Sequence, residues 1–265
     1  MKLLIAGKGG VGKTTVAALL SHILADNGYS VLALDTDSVP NLAQSLGLPL
    51  EVAEGLVPLA KNEELAEERT GARPGEGWGL LFSLTPKVDD IVDKFGVRVR
   101  DGLSLVVVGS IDAGKEGCLC PAIALAKAFL NHVLLKRREV IVVDAEAGAE
   151  VFGRGLAEKF DMTICVSEPT VKSLAISRKL IKMSRDLGVR RNVLVINKVV
   201  DNLRAAQLYA KMFSNDPVPY HIVRYDENLV SIEARGLGVT SLPKGSPVVS
   251  DVFSLYNKVL KLIKL

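Results

Sequence analysis

The sequence of 265 residues predicts an α/β fold: a doubly wound, mostly parallel sheet with helices on both faces. Short apolar runs recur along the chain, and most are continuous rather than alternating, as in strands buried on both faces of a parallel sheet. Helical stretches separate these runs, which is the alternation produced by right-handed strand–helix–strand crossovers. A Gly-rich string also lies between the first apolar run and the first helical stretch, where such folds bind phosphate groups.

The predicted elements follow one another in order along the chain. The strand candidates are residues 3–6, 31–34, 103–108, 140–143, 163–166 and 193–196. The helix candidates are residues 14–27, 121–136, 171–187, 203–213 and 249–263. Boundary residues support three of the helices, since Gly28 and Gly188 follow helical stretches and Pro121 opens one. No repeat or linker divides the chain, so we expect a single domain over residues 1–265.

One segment, residues 51–102, interrupts this alternation, because it separates two strand candidates by far more than one helix. Residues 63–69 predict a charged, solvated helix, and residues 70–77 form a loop rich in Gly and Pro. Residues 78–99 predict a short edge hairpin and a helix. We expect this insertion to lie near the strand ends, where ligands bind in doubly wound folds.

Composition excludes several classes of protein. Lys and Arg number 33 against 30 Asp and Glu, and a net charge of +3 is too weak to indicate a nucleic-acid partner. No apolar run approaches the ~18 residues needed to span a membrane. The apolar run at the N-terminus is too short for a signal peptide, so we expect a cytoplasmic protein without a membrane partner. Three cysteines are too few for a disulfide framework.

The Gly-rich string predicts a nucleotide site, because residues 7–14 match the phosphate-loop pattern G-x-x-x-x-G-K-[ST]. Its glycines let consecutive backbone N–H groups turn toward one anion, and the helix N-terminus adds its positive end. Lys13 supplies a cation to the β- and γ-phosphates, and Thr14 offers a hydroxyl to Mg²⁺. Chemistry alone leaves Lys8 open between a second cation at the phosphates and a solvated loop lysine. The predicted nucleotide-binding residues here are Gly7, Lys8, Gly9, Gly10, Val11, Gly12, Lys13, Thr14 and Thr15.

Acidic residues follow two of the predicted strands. Asp35 and Asp37 come at the end of the second, and Asp144 ends the fourth. Carboxylates at the carboxyl ends of strands face the ligand crevice, where they can hold Mg²⁺ through water or position an attacking water. The alternative is that each aspartate caps the following helix. The pattern favours Asp144 as a Mg²⁺-site residue and leaves the choice between Asp35 and Asp37 open.

An asparagine and a pair of cysteines are further candidate site residues at the ends of predicted elements. Asn197 ends the sixth strand candidate, and a turn-forming role would account for it on chemistry alone. Cys118 and Cys120 precede Pro121, and two thiolates at a helix N-terminus can ligate one metal ion. Two sulfurs do not complete a tetrahedral site, but two chains related by a two-fold axis supply four. A buried pair or a strained redox pair are the alternatives, whereas Cys165 lies mid-strand and predicts a small core residue.

The string KGGVGKTT at residues 8–15 resembles the deviant Walker A loop of the MinD/ParA/nitrogenase-iron-protein class of P-loop ATPases. With the CxC pair, the DAEAGAE string at residues 144–150 and the GRG string at residues 153–155, the chain is similar over its whole length to the CooC-type accessory ATPases of nickel carbon monoxide dehydrogenase. This resemblance implies that Lys8 crosses a dimer interface to the partner's nucleotide. It also implies that Asp37 is the catalytic aspartate and that Asn197 contacts adenine.

The resemblance implies an ATP-hydrolysing homodimer that uses ATP and Mg²⁺ and helps to insert nickel into its client, carbon monoxide dehydrogenase. Lys8, Lys13 and Asp37 would be catalytic, and Cys118 and Cys120 would bind Ni²⁺ or Zn²⁺ across the dimer. The CxxC motif of the iron–sulfur carrier ATPases is missing from the sequence.

The alternative function is a MinD/ParA-like positioning ATPase acting at a membrane or on DNA. Its best support is an apolar stripe in residues 249–263, which packing of the last helix on the sheet would equally explain. A third reading, a metal store without ATP turnover, is disfavoured by the intact phosphate loop and Asp144.

Overall fold

The computed structural model describes residues 1–71, 90–109, 128–129, 138–146 and 160–264. These residues contain one eight-stranded sheet. Its strands are β1 Lys2–Gly7, β2 Ser30–Asp35, β3 Val97–Arg100, β4 Leu103–Val107, β5 Glu139–Asp144, β6 Met162–Ser167, β7 Asn192–Val199 and β8 Tyr220–Arg224. Their order in the sheet is β3-β4-β2-β5-β1-β6-β7-β8. The β3–β4 pair is antiparallel, and the other pairs in the described sheet are parallel. The predicted fold class is confirmed.

Helices connect the strands on both sides of this sheet. In the described part of the chain they are α1 Lys13–Asp26, α2 Leu42–Ser45, α3 Leu50–Glu54, α4 Glu63–Thr70, α5 Ile91–Phe95, α6 Val171–Asp186, α7 Asn202–Met212, α8 Glu227–Ala234 and α9 Pro247–Lys264. Short 3₁₀ turns lie at Leu59–Lys61 and Val239–Ser241. The predicted helix over residues 121–136 lies outside the described residues apart from residues 128–129.

Both faces of the sheet are buried, which explains the continuous apolar runs. In β1, Leu3 and Ile5 join a cluster with residues of α1 and α9, whereas Leu4 and Ala6 join a second cluster with residues of α6 and α7. Alternate residues of a strand point to opposite faces, so a strand between two helical layers must be apolar throughout. The result is a three-layer arrangement in which the sheet positions the site residues.

The last helix confirms the core-packing interpretation of its apolar stripe. Val252, Leu255 and Val259 of α9 are fully buried in the cluster that also contains residues of α1. Phe253 remains 46% exposed. Packing against the sheet therefore accounts for most of the stripe. Among the described helices, none is both long enough and apolar enough to cross a membrane.

The elements that sequence patterns missed lie mostly at the periphery. Strand β8 forms one edge of the sheet, and the short helices α2, α3 and α8 were not predicted. Where residues 51–102 are described, α4 covers the predicted charged helix and α5 lies in the range predicted to hold a second helix. Strand β3 pairs antiparallel with β4, a strand predicted separately, so the hairpin expected within residues 78–99 stays a prediction. Residues 72–89 of the predicted loop and hairpin lie outside the described residues.

Candidate functional site

The phosphate loop connects β1 to α1 at the carboxyl edge of the sheet. Gly10 and Gly12 adopt left-handed backbone conformations with φ of 77° and 93°, which glycine adopts without strain. A Cβ on Gly12 would stand 2.3 Å from Nδ2 of Asn197, so the loop and the end of β7 approach closely there. A Cβ on Gly7 would stand 2.3 Å from the carbonyl oxygen of Val166 in β6. Glycine is thus required at both ends of the loop.

The polar side chains of the loop differ in their surroundings. Lys13 is only 7% exposed, and its Nζ donates to the carbonyl oxygen of Lys8 over 3.4 Å. Lys8 is partly buried, and its ammonium has no hydrogen-bond or ion-pair partner among the described residues. Thr15 donates its hydroxyl to Oε1 of Glu233 in α8 over 3.2 Å, so its hydroxyl is already engaged. The loop therefore curls around the Lys13 ammonium and leaves the Lys8 ammonium available.

Asp144 ends β5 beside the loop. It is 2% exposed, and burial raises the pKa of its carboxyl to about 7, against the opposing effect of a hydrogen bond from the Thr14 hydroxyl. The negative charge of Asp35 raises this pKa further. Oδ1 of Asp144 is buried and has no hydrogen-bond partner among the described residues. A buried carboxylate oxygen without a partner is the kind of group that a cation or its hydration shell satisfies.

Asp35 is the strand neighbour of Asp144, but its carboxylate serves the protein backbone. It accepts hydrogen bonds from the backbone N–H groups of Asp37, Asn41 and Leu42 at 3.0, 3.0 and 2.9 Å. Burial raises its pKa to about 6, while these hydrogen bonds oppose the rise. Asp35 thus fixes the loop between β2 and α2.

Asp37 lies on the loop that Asp35 holds. Its side chain is partly buried, and Oδ1 accepts from the backbone N–H of Val39 over 3.1 Å. The neighbouring Ser38 donates its hydroxyl to Glu146, which follows β5, over 2.8 Å. The loop that carries Asp37 is therefore tied to the segment after Asp144. The structure therefore shows that Asp35 and Asp37 have different surroundings, a difference that the sequence pattern did not reveal.

The end of β7 contacts the phosphate loop through two consecutive residues. Asn197 is 4% exposed, and its Nδ2 donates to the carbonyl oxygen of Val11 over 2.8 Å. Lys198 donates from Nζ to the carbonyl oxygen of Gly10 over 2.6 Å and to Oε1 of Glu168 over 3.1 Å. Sequence patterns selected Asn197 but missed Lys198, because its contact with Gly10 joins residues 188 positions apart.

The cysteines divide into two groups. Cys118 and Cys120 lie outside the described residues, so their geometry stays a prediction. Cys165 is fully buried in β6, and burial raises the pKa of its thiol to about 12, which confirms its interpretation as a core residue. No cluster of three or more His, Cys, Asp and Glu side chains suited to a metal ion occurs in the described part of the chain.

Together these groups fit a magnesium nucleotide. A buried cation, a loop of glycines and the start of a 14-residue helix converge where β1 ends. The Thr14 hydroxyl and the unsatisfied oxygen of Asp144 supply the oxygen chemistry that Mg²⁺ prefers. The arrangement can neutralise phosphate charge and hold a hydrated divalent cation beside it.

Comparisons with known proteins show nucleotide-binding relatives. The family model described as the CobQ/CobB/MinD/ParA nucleotide binding domain matches residues 2–239. An uncharacterized ATP-binding protein of Methanocaldococcus jannaschii is 38% identical over 264 residues, which are 99% of this chain and 98% of that protein. The carbon monoxide dehydrogenase accessory protein CooC of Rhodospirillum rubrum is 41% identical over 199 residues, 75% of this chain and 74% of that protein. The cell-division ATPase MinD of Pyrococcus furiosus shares the fold, with a TM-score of 0.68, 20% identity and 98% coverage of each chain.

Proposed function

The chain belongs to the CobQ/CobB/MinD/ParA family of nucleotide-binding ATPases, and within that family we propose that it is a CooC-type accessory ATPase that helps to insert nickel into carbon monoxide dehydrogenase. The observation that carries the proposal is the 41% identity to the Rhodospirillum rubrum accessory protein over three quarters of this chain. The Cys118–Cys120 pair supports it, because a protein that handles a soft or borderline metal ion needs thiolate ligands.

The proposed switch begins with ATP and Mg²⁺ at the phosphate loop. Lys13 neutralises the β- and γ-phosphates, and the Thr14 hydroxyl with Asp144 holds the hydrated Mg²⁺, which supplies further positive charge to the phosphates. Asn197 contacts the adenine base. Asp37 orients the attacking water, while Asp35 holds the loop that carries it. The buried position of Lys13 and the unsatisfied oxygen of Asp144 support these roles.

The second half of the proposal is dimerisation. Lys8 extends from one protomer to the nucleotide of its partner and adds positive charge as an arginine finger does in trans. The availability of its ammonium within the described residues supports this role. ATP would close the dimer and hydrolysis would reopen it, since only the triphosphate state makes these contacts.

The nickel site lies on the two-fold axis in this proposal. Cys118 and Cys120 of each chain bring four thiolates to one Ni²⁺, or to Zn²⁺, when the dimer is closed. A shared site couples metal affinity to the nucleotide state through the dimer equilibrium. The metal is cargo, held in one state and released in the other.

The test is metal transfer from the ATP-loaded protein. Purified chain, loaded with Ni²⁺, is mixed with nickel-free carbon monoxide dehydrogenase, and CO oxidation is measured after adding Mg-ATP. We expect activation that needs ATP and is lost in Cys118→Ser and in Asp37→Asn, with Cys165→Ser as the matched control that retains it. Equal activation by Cys118→Ser would contradict the proposal.

The alternative function, positioning at a membrane, makes a different prediction. A positioning ATPase would co-sediment with liposomes in an ATP-dependent way. The burial of Val252, Leu255 and Val259 in α9 removes most of the apolar surface that supported this function. We therefore expect no ATP-dependent co-sedimentation.

A further inference from the structure

Lys198 occupies an unusual position at the end of the parallel sheet. It is a non-glycine residue with φ of 58°, which is the left-handed region. An L-residue with a Cβ is strained there, and such strain persists only where the surroundings hold it. The sequence around Asn197 and Lys198 does not explain this left-handed backbone conformation. The contacts of the Lys198 side chain do explain it.

Those contacts connect three separate parts of the fold. The Lys198 ammonium reaches Gly10 of the phosphate loop and Glu168, the residue that follows β6. Its side chain is 44% exposed and that of Glu168 is 31% exposed, so the ion pair alone would contribute little. The hydrogen bond to a backbone carbonyl is different, because it fixes the orientation of a peptide group.

Fixing a carbonyl also fixes an N–H group. In a trans peptide unit the C=O and the following N–H point in opposite directions, and no cis peptide occurs in the described residues. Lys198 holds the Gly10 carbonyl and so directs the N–H of Val11 away from itself. Asn197 likewise holds the Val11 carbonyl, and so it fixes the direction of the N–H of Gly12. These are N–H groups of the loop that a nucleotide phosphate would meet.

We propose that Lys198 is a positioning residue that holds the phosphate loop in its nucleotide-binding conformation, with Glu168 keeping its ammonium in place. In this role it acts through the backbone of the loop. Its effect is to orient the loop before the nucleotide arrives, so that less free energy is spent on ordering the loop upon binding. The inference rests on the nucleotide switch proposed above and assigns a new residue to it.

The experiment compares Lys198→Ala with Lys198→Gly. Both remove the ammonium, but glycine also relieves the backbone strain, so the pair separates the two contributions. Dissociation constants for Mg-ADP are measured by calorimetry, and KM and kcat for ATP by phosphate release. Lys179→Ala, an exposed lysine in α6, is the matched control. Melting temperatures without nucleotide show that each variant is folded.

We expect both Lys198 variants to raise the dissociation constant for Mg-ADP and the KM for ATP about tenfold, as for loss of a charge-assisted hydrogen bond, with kcat at saturating ATP unchanged within about twofold. Glu168→Gln should give a smaller rise in both constants, and Lys179→Ala none. Wild-type affinity in Lys198→Ala would overturn the proposal, and so would restoration by Lys198→Gly or a fall in kcat at constant KM. If the wild-type protein itself failed to bind Mg-ADP, the proposed nucleotide switch would fail instead.

Discussion

Two lysines of the phosphate loop, five residues apart, differ sharply in burial and in partners. Lys13 is 7% exposed and lies within reach of the Lys8 carbonyl oxygen, whereas the Lys8 ammonium has no partner in the described part of the chain. A buried cation surrounded by its own loop is placed for an anion bound in cis. An ammonium without such a partner at the loop surface can contact a group on another chain. We therefore expect substitutions of the two lysines to have different effects.

Lys13→Ala should raise the dissociation constant for Mg-ADP by about 100-fold, because it removes the charged partner of the phosphates. Lys8→Ala should leave Mg-ADP affinity within about threefold of wild type while lowering kcat by at least tenfold, because its proposed contact is made in trans. Calorimetry and steady-state ATPase assays measure both constants. Equal losses of Mg-ADP affinity in the two variants would contradict the distinction.

The carboxyl of Asp144 predicts a pH dependence of stability. Burial raises its pKa from 3.8 to about 7 in the folded protein. Between these values the folded state binds more protons than the unfolded state, so the contribution of Asp144 to the free energy of unfolding falls as pH rises from about 4 to about 7. Without Mg²⁺ or nucleotide, the free energy of unfolding of Asp144→Asn should therefore rise relative to that of wild type as pH rises through that window.

Denaturant unfolding at a series of pH values measures this difference. Asp93→Asn, at an exposed position in α5, is the control. If instead the free energy of unfolding of Asp144→Asn fell relative to that of wild type as pH rises, a raised pKa at Asp144 would be ruled out.

The strands that could be predicted from the sequence are those buried on both faces of the sheet. The six predicted strands correspond to β1, β2, β4, β5, β6 and β7. Strand β8 lies at an edge, and only one of its five residues is buried. Its apolar run is interrupted by His221 and ends at Arg224. Helix α8 has a single buried residue, Ile232, and therefore little apolar periodicity. Elements with one-sided or partial burial leave a weaker pattern.

The site residues, too, could be predicted only where the local sequence carries a signal. Residues that a motif or a strand end marks, such as Lys13 and Asp144, could be predicted from sequence. The assignment of roles to Asp35 and Asp37 needed the backbone contacts of the β2–α2 loop. Lys198 needed a tertiary contact across 188 positions, for which the chain carries no local signal.

The β2–α2 loop offers a matched pair of variants. Asp35→Asn should lower the free energy of unfolding by about 1–3 kcal/mol, because an amide cannot accept all three backbone hydrogen bonds that the buried carboxylate accepts. Asp37→Asn should leave stability within ~0.5 kcal/mol of wild type and lower kcat by at least tenfold. Denaturant unfolding and ATPase assays separate the two. A large loss of stability in Asp37→Asn would show that both residues serve the fold.

The connection between the phosphate loop and α1 offers another pair. Gly12→Ala places a Cβ 2.3 Å from Nδ2 of Asn197 in a left-handed backbone, so it should cost about 2 kcal/mol or more. Gly10→Ala has the same kind of backbone but meets nothing within 4 Å, so it should cost about 1 kcal/mol. Nucleotide-free thermal unfolding measures both. Equal costs would mean that the contact with Asn197 adds nothing to the backbone strain.

In the proposed dimer, one equilibrium between open and closed forms connects the nucleotide site with the metal site. In that dimer the nucleotide would be held within each chain, whereas Lys8 and the Cys118–Cys120 pair would act between chains. A dimer that closes around ATP brings the trans lysine to the partner's phosphates and the cysteine pairs to one axis in the same movement. Each ligand then favours the closed form, and the coupling must be reciprocal.

The metal stoichiometry tests this coupling. Two thiolates per chain leave a tetrahedral ion half-ligated, so Ni²⁺ or Zn²⁺ should bind at one ion per two chains and shift the protein toward dimer. Binding should weaken as pH falls, because the ligating thiols must lose their protons. Metal titration followed by light scattering measures stoichiometry and mass together. Cys118→Ser should abolish the shift, and Cys165→Ser, at a fully buried core position, should leave the stoichiometry unchanged. One ion per chain without dimer formation would leave Cys118 and Cys120 as a local pair and would separate metal binding from the nucleotide switch.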